Sequence, residues 1–139
     1  MASTTTTTAA AATPRARDPI TCHVLDTLTG RPAPRMIVTL SCLSHKSGAF
    51  CAVTNADGRV VNWEAESSGD GIAQSVEQVL RTTGAASSVW KLKFGTGAYY
   101  GEGKTFWPEV ELTFYVKQGE HYHVPLLLGP YSYTTYRGS

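Results

Sequence analysis

The run Glu109-Val110-Glu111-Leu112-Thr113-Phe114-Tyr115-Val116 sets Val110, Leu112, Phe114 and Val116 against Glu109, Glu111, Thr113 and Tyr115. Successive side chains of a strand point to opposite faces, so this run specifies a strand with one core face and one wet or shared face. The strand is expected to run from about residue 106 to 116.

The same short β-branched and aromatic runs recur on both sides of it. Strands are expected at 20–26, 35–43, 49–54, from Arg59 to about 63, at 89–94 and 121–128, and within 131–139. Thr29-Gly30-Arg31-Pro32, Asn55-Ala56-Asp57-Gly58 and Gly129-Pro130 read as turns between them, and residues 95–104 as a connection. That spacing predicts an all-β, antiparallel two-sheet sandwich. In 20–26, Ile20, Cys22 and Val24 fall on one face and Thr21, His23 and Leu25 on the other. Residues 66–88 break the rhythm: Ile72, Val76, Val79 and Leu80 recur at helical spacing, with Asp70 as the expected N-cap and Gly84 as the stop. The domain is expected to span 19–139 with 66–88 as a helical insertion. Residues 1–18, a Thr and Ala tract ending Thr13-Pro14-Arg15-Ala16-Arg17-Asp18, read as a disordered tail.

At 139 residues and 42% hydrophobic content, one domain can bury a real core without metals or crosslinks. Twelve Lys plus Arg against 11 Asp plus Glu give a net charge of +1, which leaves no broad basic face for nucleic acid. Cys22, Cys42 and Cys51 form an odd set without CxxC spacing, which fits a reducing compartment and argues against a Cys-rich zinc site. No stretch reaches the roughly 20 apolar residues that cross a bilayer, so no membrane partner is expected. Cytoplasm or peroxisome is the expected location. Arg137-Gly138-Ser139 is not a Ser-Lys-Leu type address.

His121 and His123 stand two apart on an expected strand, so both imidazoles project from one face. Imidazole titrates near neutrality and serves as general base, general acid or metal ligand. A zinc site needs further ligands, which only His23, His45 or an acid could supply, and no spacing declares one. Taken singly, His23 reads as a satisfied strand histidine, Arg59 as a surface cation opening a strand, and Ser139 as a frayed end. Arg59 also has a functional reading, a fixed guanidinium that polarises a carbonyl or holds an anionic ring. No GxSxG, P-loop or HExxH motif is present, which removes common serine hydrolases, nucleotide binding and zinc proteolysis.

Separated blocks do form one set: Cys22-His23-Val24-Leu25-Asp26, Gly30-Arg31-Pro32-Ala33, Asp57-Gly58-Arg59, Phe106-Trp107-Pro108-Glu109-Val110, His121-Tyr122-His123-Val124-Pro125-Leu126-Leu127-Leu128 and Tyr136-Arg137-Gly138-Ser139. Together they resemble the transthyretin-like family, in its hydrolase branch, over residues 19–139 apart from the insertion. The His-Tyr-His-Val-Pro and terminal Tyr-Arg-Gly-Ser blocks are those of that branch. The resemblance implies a two-sheet, eight-strand sandwich with one or two short helices, assembled as a homotetramer (a dimer of dimers) with sites at the dimer–dimer interface. It implies hydrolysis of 5-hydroxyisourate to 2-oxo-4-hydroxy-4-carboxy-5-ureidoimidazoline in urate breakdown, with no metal or other cofactor.

Carried over residue by residue, it implies catalytic roles for His23, Arg59, His123 and Ser139. His121, Tyr136, Arg137 and Gly138 are then expected to bind substrate. Glu66 to Ser88 is longer than the family's usual connection, and Gly129 stands where a serine often follows the triple leucine. The rival reading is a transthyretin-like carrier that holds a small aromatic ligand in the tetramer channel. An apolar channel is what such a carrier needs, whereas His23, Arg59 and His123 are polar and titratable.

Overall fold

Each expected apolar alternation folds into one of two five-strand sheets. A computed structural model describes residues 16–45, 48–66 and 74–139. Its strands are β1 (Ile20–Asp26), β2 (Arg31–Pro32), β3 (Ile37–Cys42), β4 (Ala49–Val53), β5 (Arg59–Val60), β6 (Glu64–Ala65), β7 (Ser87–Phe94), β8 (Val110–Lys117), β9 (Tyr122–Leu128) and β10 (Tyr133–Thr135). One sheet runs β10-β9-β1-β2 with β5 also on β1, and the other runs β6-β4-β3-β7-β8. The sandwich expected from the sequence is present, extended by two-residue segments such as β2 and β6.

The opening alternation holds. In β8, Val110 and Val116 are buried, Leu112 and Phe114 are half-buried, and Glu111, Thr113 and Tyr115 face out. Phe106 to Glu109, expected to start this strand, stand outside it, where Pro108 has no N–H to donate to a ladder. Ile20, Cys22 and Val24 of β1 enter the core with Leu40, Trp90, Leu92, Phe94, Leu126 and Leu128, all fully buried. Each such large apolar side chain contributes about 1.5–3 kcal/mol on leaving water.

Pairing is antiparallel everywhere except β1 with β9, which is parallel and aligns Thr21 with His123 and His23 with Pro125. The antiparallel sandwich expected from the sequence thus contains this one parallel pair among the described strands. The chain reaches β9 only after crossing the other sheet, so no hairpin turn fixes its direction.

The insertion also differs from its expectation. Its helix, α1 (Val76–Thr82), is capped by Ser75 rather than Asp70, through a capping box in which the Gln78 N–H donates to Ser75 Oγ and the Ser75 N–H donates to Gln78 Oε1. Asp70 and Ile72 lie outside the described residues. Val76, Val79 and Leu80 join the core, and Gly84, at φ +67°, follows the helix as the expected stop. Ser87 and Ser88 belong to β7. The connection after β7 carries a second short helix, α2 (Thr96–Tyr100), whose Tyr99 and Tyr100 hydroxyls both donate to the buried carboxylate of Asp26 at 2.8 and 3.0 Å.

The N-terminal boundary moves too. Residues 16–18, assigned by composition to the tail, are fastened to the domain; the Asp18 N–H donates to the Val61 carbonyl, Asp18 Oδ2 accepts from the Trp63 N–H, and Asn62 Nδ2 donates to the Ala16 carbonyl. Asp18 is buried because it supplies the acceptor that the Trp63 amide would otherwise lack. Residues 1–15 lie outside the described residues.

Candidate active site

The outer face of β1 gathers the polar residues. His23 lies opposite Arg59 in the β1–β5 ladder, and Thr21 lies opposite His123 in the β1–β9 ladder. Paired residues share a face, so two separate ladders put Arg59, His23, Thr21 and His123 side by side away from the core. The His23 and His123 ring centroids are 6.4 Å apart.

Arg59 is held by the turn before it. Asn55 Oδ1 accepts from the N–H groups of Asp57 and Arg59 at 2.9 and 3.0 Å, and the Asn55 N–H donates to the Arg59 carbonyl. Gly58 adopts φ +72°, and a Cβ there would collide with the Val24 carbonyl oxygen. Only glycine lets this turn close against β1, so Asp57-Gly58-Arg59 is a positioning device for the guanidinium.

His123 is fixed on two sides. Thr21 Oγ1 and His123 Nδ1 are 2.8 Å apart, in a hydrogen bond that leaves Nε2 as the ring nitrogen free for proton transfer. On the other side the Gly138 N–H donates to the His123 carbonyl at 2.8 Å, forming an isolated bridge that brings the end of the chain alongside. A Cβ at Gly138 would lie 2.9 Å from His123 Cδ2, so the glycine is what permits the approach.

A cavity of about 200 Å³ lies beside this row, lined by Arg17, Asp18, Pro19, Thr21, Arg59, His121, Tyr122, His123 and Ser139. Of the residues singled out in the sequence, Arg59, His121, His123 and Ser139 therefore meet at one cavity, with His23 adjoining His123. His121 precedes β9 and is exposed, so it lines the cavity from outside the strand, correcting the expectation that it projects from the strand beside His123. Tyr136 and Arg137 line a neighbouring cleft of about 610 Å³ between β8 and β9, which shares Tyr122 and His123 with the cavity. There the Arg137 guanidinium sits 4.4 Å over the Tyr122 ring and 3.7 Å from Glu120. Gly138 acts through the His123 backbone.

Thr21 and Arg17 were not singled out by the sequence. Thr21 was legible, since alternation already put it on the His23 face. Arg17 carried no signal, because it belongs to a stretch whose composition reads as tail.

Both imidazoles are held below their ordinary value. For His23 the causes are partial burial and then the Arg59 charge, which together outweigh a hydrogen bond to the Asp57 backbone and the Asp57 charge. For His123 they are partial burial, then Arg59, His23 and Arg17. A lowered value keeps the ring neutral at neutral pH, the form a general base requires. Among the described residues, no three His, Cys, Asp or Glu side chains are grouped as metal ligands would be.

The profile described as "Transthyretin: HIUase/Transthyretin family" matches residues 20–138. A Schizosaccharomyces pombe protein named "Probable 5-hydroxyisourate hydrolase" is 41% identical over 127 residues, covering 86% of this chain and 90% of that protein. The 5-hydroxyisourate hydrolase of Klebsiella pneumoniae superposes with a TM-score of 0.63 at 27% identity, over 86% of this chain and 98% of that one. Sea bream transthyretin in complex with thyroxine does so with a TM-score of 0.65 at 25% identity, over 87% and 95%. The backbone is thus shared by a 5-hydroxyisourate hydrolase and a thyroxine-bound transthyretin, and the match over residues 20–138 means that the chain belongs to the HIUase/transthyretin family.

Proposed function

We propose that this chain hydrolyses 5-hydroxyisourate to 2-oxo-4-hydroxy-4-carboxy-5-ureidoimidazoline, a step of urate breakdown. The observation that carries the reading is the meeting of Arg59 and His123 at one cavity, with the His23 ring 6.4 Å from that of His123 and both imidazoles held below their ordinary value. Names of the hydrolase relatives support it. A carrier for an apolar ring would gain from an apolar lining, and this row of side chains is polar.

Opening a ring amide needs a nucleophilic water and an electrophilic carbonyl. His123, with Nδ1 engaged by Thr21, takes the proton from water at Nε2, and the water oxygen bonds to the carbonyl carbon. Arg59 stabilises the oxyanion that forms and keeps the ring oriented. The proton that His123 took from water passes to the departing ring nitrogen as the C–N bond breaks, with His23, whose ring centroid is 6.4 Å away, assisting that transfer. Ser139 and His121 hold the ring at the cavity wall. The reaction is metal-independent, and the working unit is a homotetramer.

The test is the decay of freshly generated 5-hydroxyisourate, followed by ultraviolet absorbance with and without catalytic protein and a chelator. Acceleration that survives the chelator is expected. No acceleration from folded protein would overturn the reading.

A further inference from the structure

We propose that Arg17 is the carboxylate-binding residue of this site, a second guanidinium that receives the acid group created when the ring opens. The inference rests on the hydrolase reading above. Arg17 lines the cavity that holds Arg59, His121, His123 and Ser139, and it also lines an adjoining cleft of about 720 Å³ bounded by α1. Four residues, Arg17, Asp18, Pro19 and His121, are common to both spaces. Arg17 therefore stands at the threshold between the place where the bond is cut and a larger space beside it.

Its backbone is fixed from both sides. The Ala16 carbonyl accepts from Asn62 Nδ2 at 2.7 Å, and Asp18 exchanges two hydrogen bonds with Val61 and Trp63 at 2.9 and 2.8 Å. These bonds hold a flexible side chain's root in place and so lower the entropy cost of its contact with a ligand. Its charge already reaches His123, on which it acts together with Arg59 and His23.

Acids near the threshold are engaged elsewhere. Glu77 pairs with Arg81 at 3.5 Å, Glu120 accepts from the Tyr122 hydroxyl at 2.7 Å, and Asp18 Oδ2 accepts from the Trp63 amide. The chemistry supplies an anion for the cationic side. Water adds to the amide carbonyl, the C–N bond breaks, the ring nitrogen gains a proton, and the new carboxylic acid releases one to give a carboxylate. Arg59 meets the charge while it develops on the carbonyl oxygen, and Arg17 meets it after cleavage, when the opened product is longer than the ring. A guanidinium binds a carboxylate through two parallel hydrogen bonds, which a neutral side chain cannot reproduce.

The probe is hydantoate, a stable ureido-carboxylate, compared with its neutral amide as inhibitors of 5-hydroxyisourate hydrolysis. Hydantoate should inhibit the native protein more tightly than the amide does. Arg17→Gln should weaken hydantoate about tenfold or more and leave the amide within about twofold, while Arg17→Lys should recover part of the loss. Equal weakening of both inhibitors, or none, would overturn the proposal, as would a native protein that hydantoate does not inhibit. If the native protein does not hydrolyse 5-hydroxyisourate, the hydrolase reading fails first and this proposal falls with it. An active native protein with an unaltered Arg17→Gln variant defeats the Arg17 role alone.

Discussion

Replacing Thr21 by Val isolates the contribution of one hydrogen bond to the reaction. Thr21 is 8% exposed, and its Oγ1 lies 2.8 Å from His123 Nδ1. Valine keeps the β-branched shape, so β1 and its ladder to β9 should persist. What is lost is the anchor that fixes the His123 ring and its tautomer, since a methyl group then faces Nδ1. One such hydrogen bond is worth about 1–2 kcal/mol. If all of it is felt in the transition state, kcat/KM falls roughly five- to thirtyfold. Initial rates of 5-hydroxyisourate loss measure the effect, and circular dichroism with thermal melting confirms that the fold survives. Thr21→Ser, which keeps the hydroxyl, should recover most of the rate. A Thr21→Val protein within twofold of native kcat/KM would refute the anchoring argument, because the ring would then be held by something else.

Arg59→Ala should lower kcat/KM on the order of a hundredfold, as removal of one oriented oxyanion donor does. The acid limb of the native pH profile should lie below the ordinary histidine value of about 6.5, and it should move up in this variant because the Arg59 charge helps depress both imidazoles. The same depression means that the folded state binds fewer protons than the unfolded chain below about 6.5, so stability should decline as pH falls from there through the folded-state values; a melting temperature flat across that window would contradict it. Gly138→Ala should cost roughly ten- to a hundredfold in rate with the sandwich intact, since its Cβ would come within 2.9 Å of His123 Cδ2 and push the ring aside. Full activity in that variant would show that the ring can give way freely. Asp26→Asn should lower stability by about 1–3 kcal/mol by removing one of the acceptors used by Tyr99, Tyr100 and the Leu28 N–H. Thermal unfolding reads this directly, and an unchanged midpoint would discount the Asp26 cluster.

Sequence alone determined the strands, because a period-two pattern such as Val110 to Val116 is a local property that burial of one face enforces. It also determined which face of β1 carries Thr21 and His23, and the turn that delivers Arg59, since Asn55 to Gly58 is local turn chemistry. The helix was legible from Val76, Val79 and Leu80, whereas its start was not: Ser75 caps it through Gln78, a reciprocal contact hidden among other polar candidates. The site's composition, as distinct from its members, was decided by the tertiary structure. The parallel pairing of β1 with β9 aligns Thr21 with His123 across 102 residues of chain, and no local rule fixes that register. It also set Tyr136 and Arg137 along the cleft beside β8 and the nearby Ser139 at the cavity with Arg59. Most telling is Arg17: composition reports only how much apolar surface a segment can bury, while the bonds from Asp18 to Val61 and Trp63 that bring it to the cavity exist only once the sheet has formed.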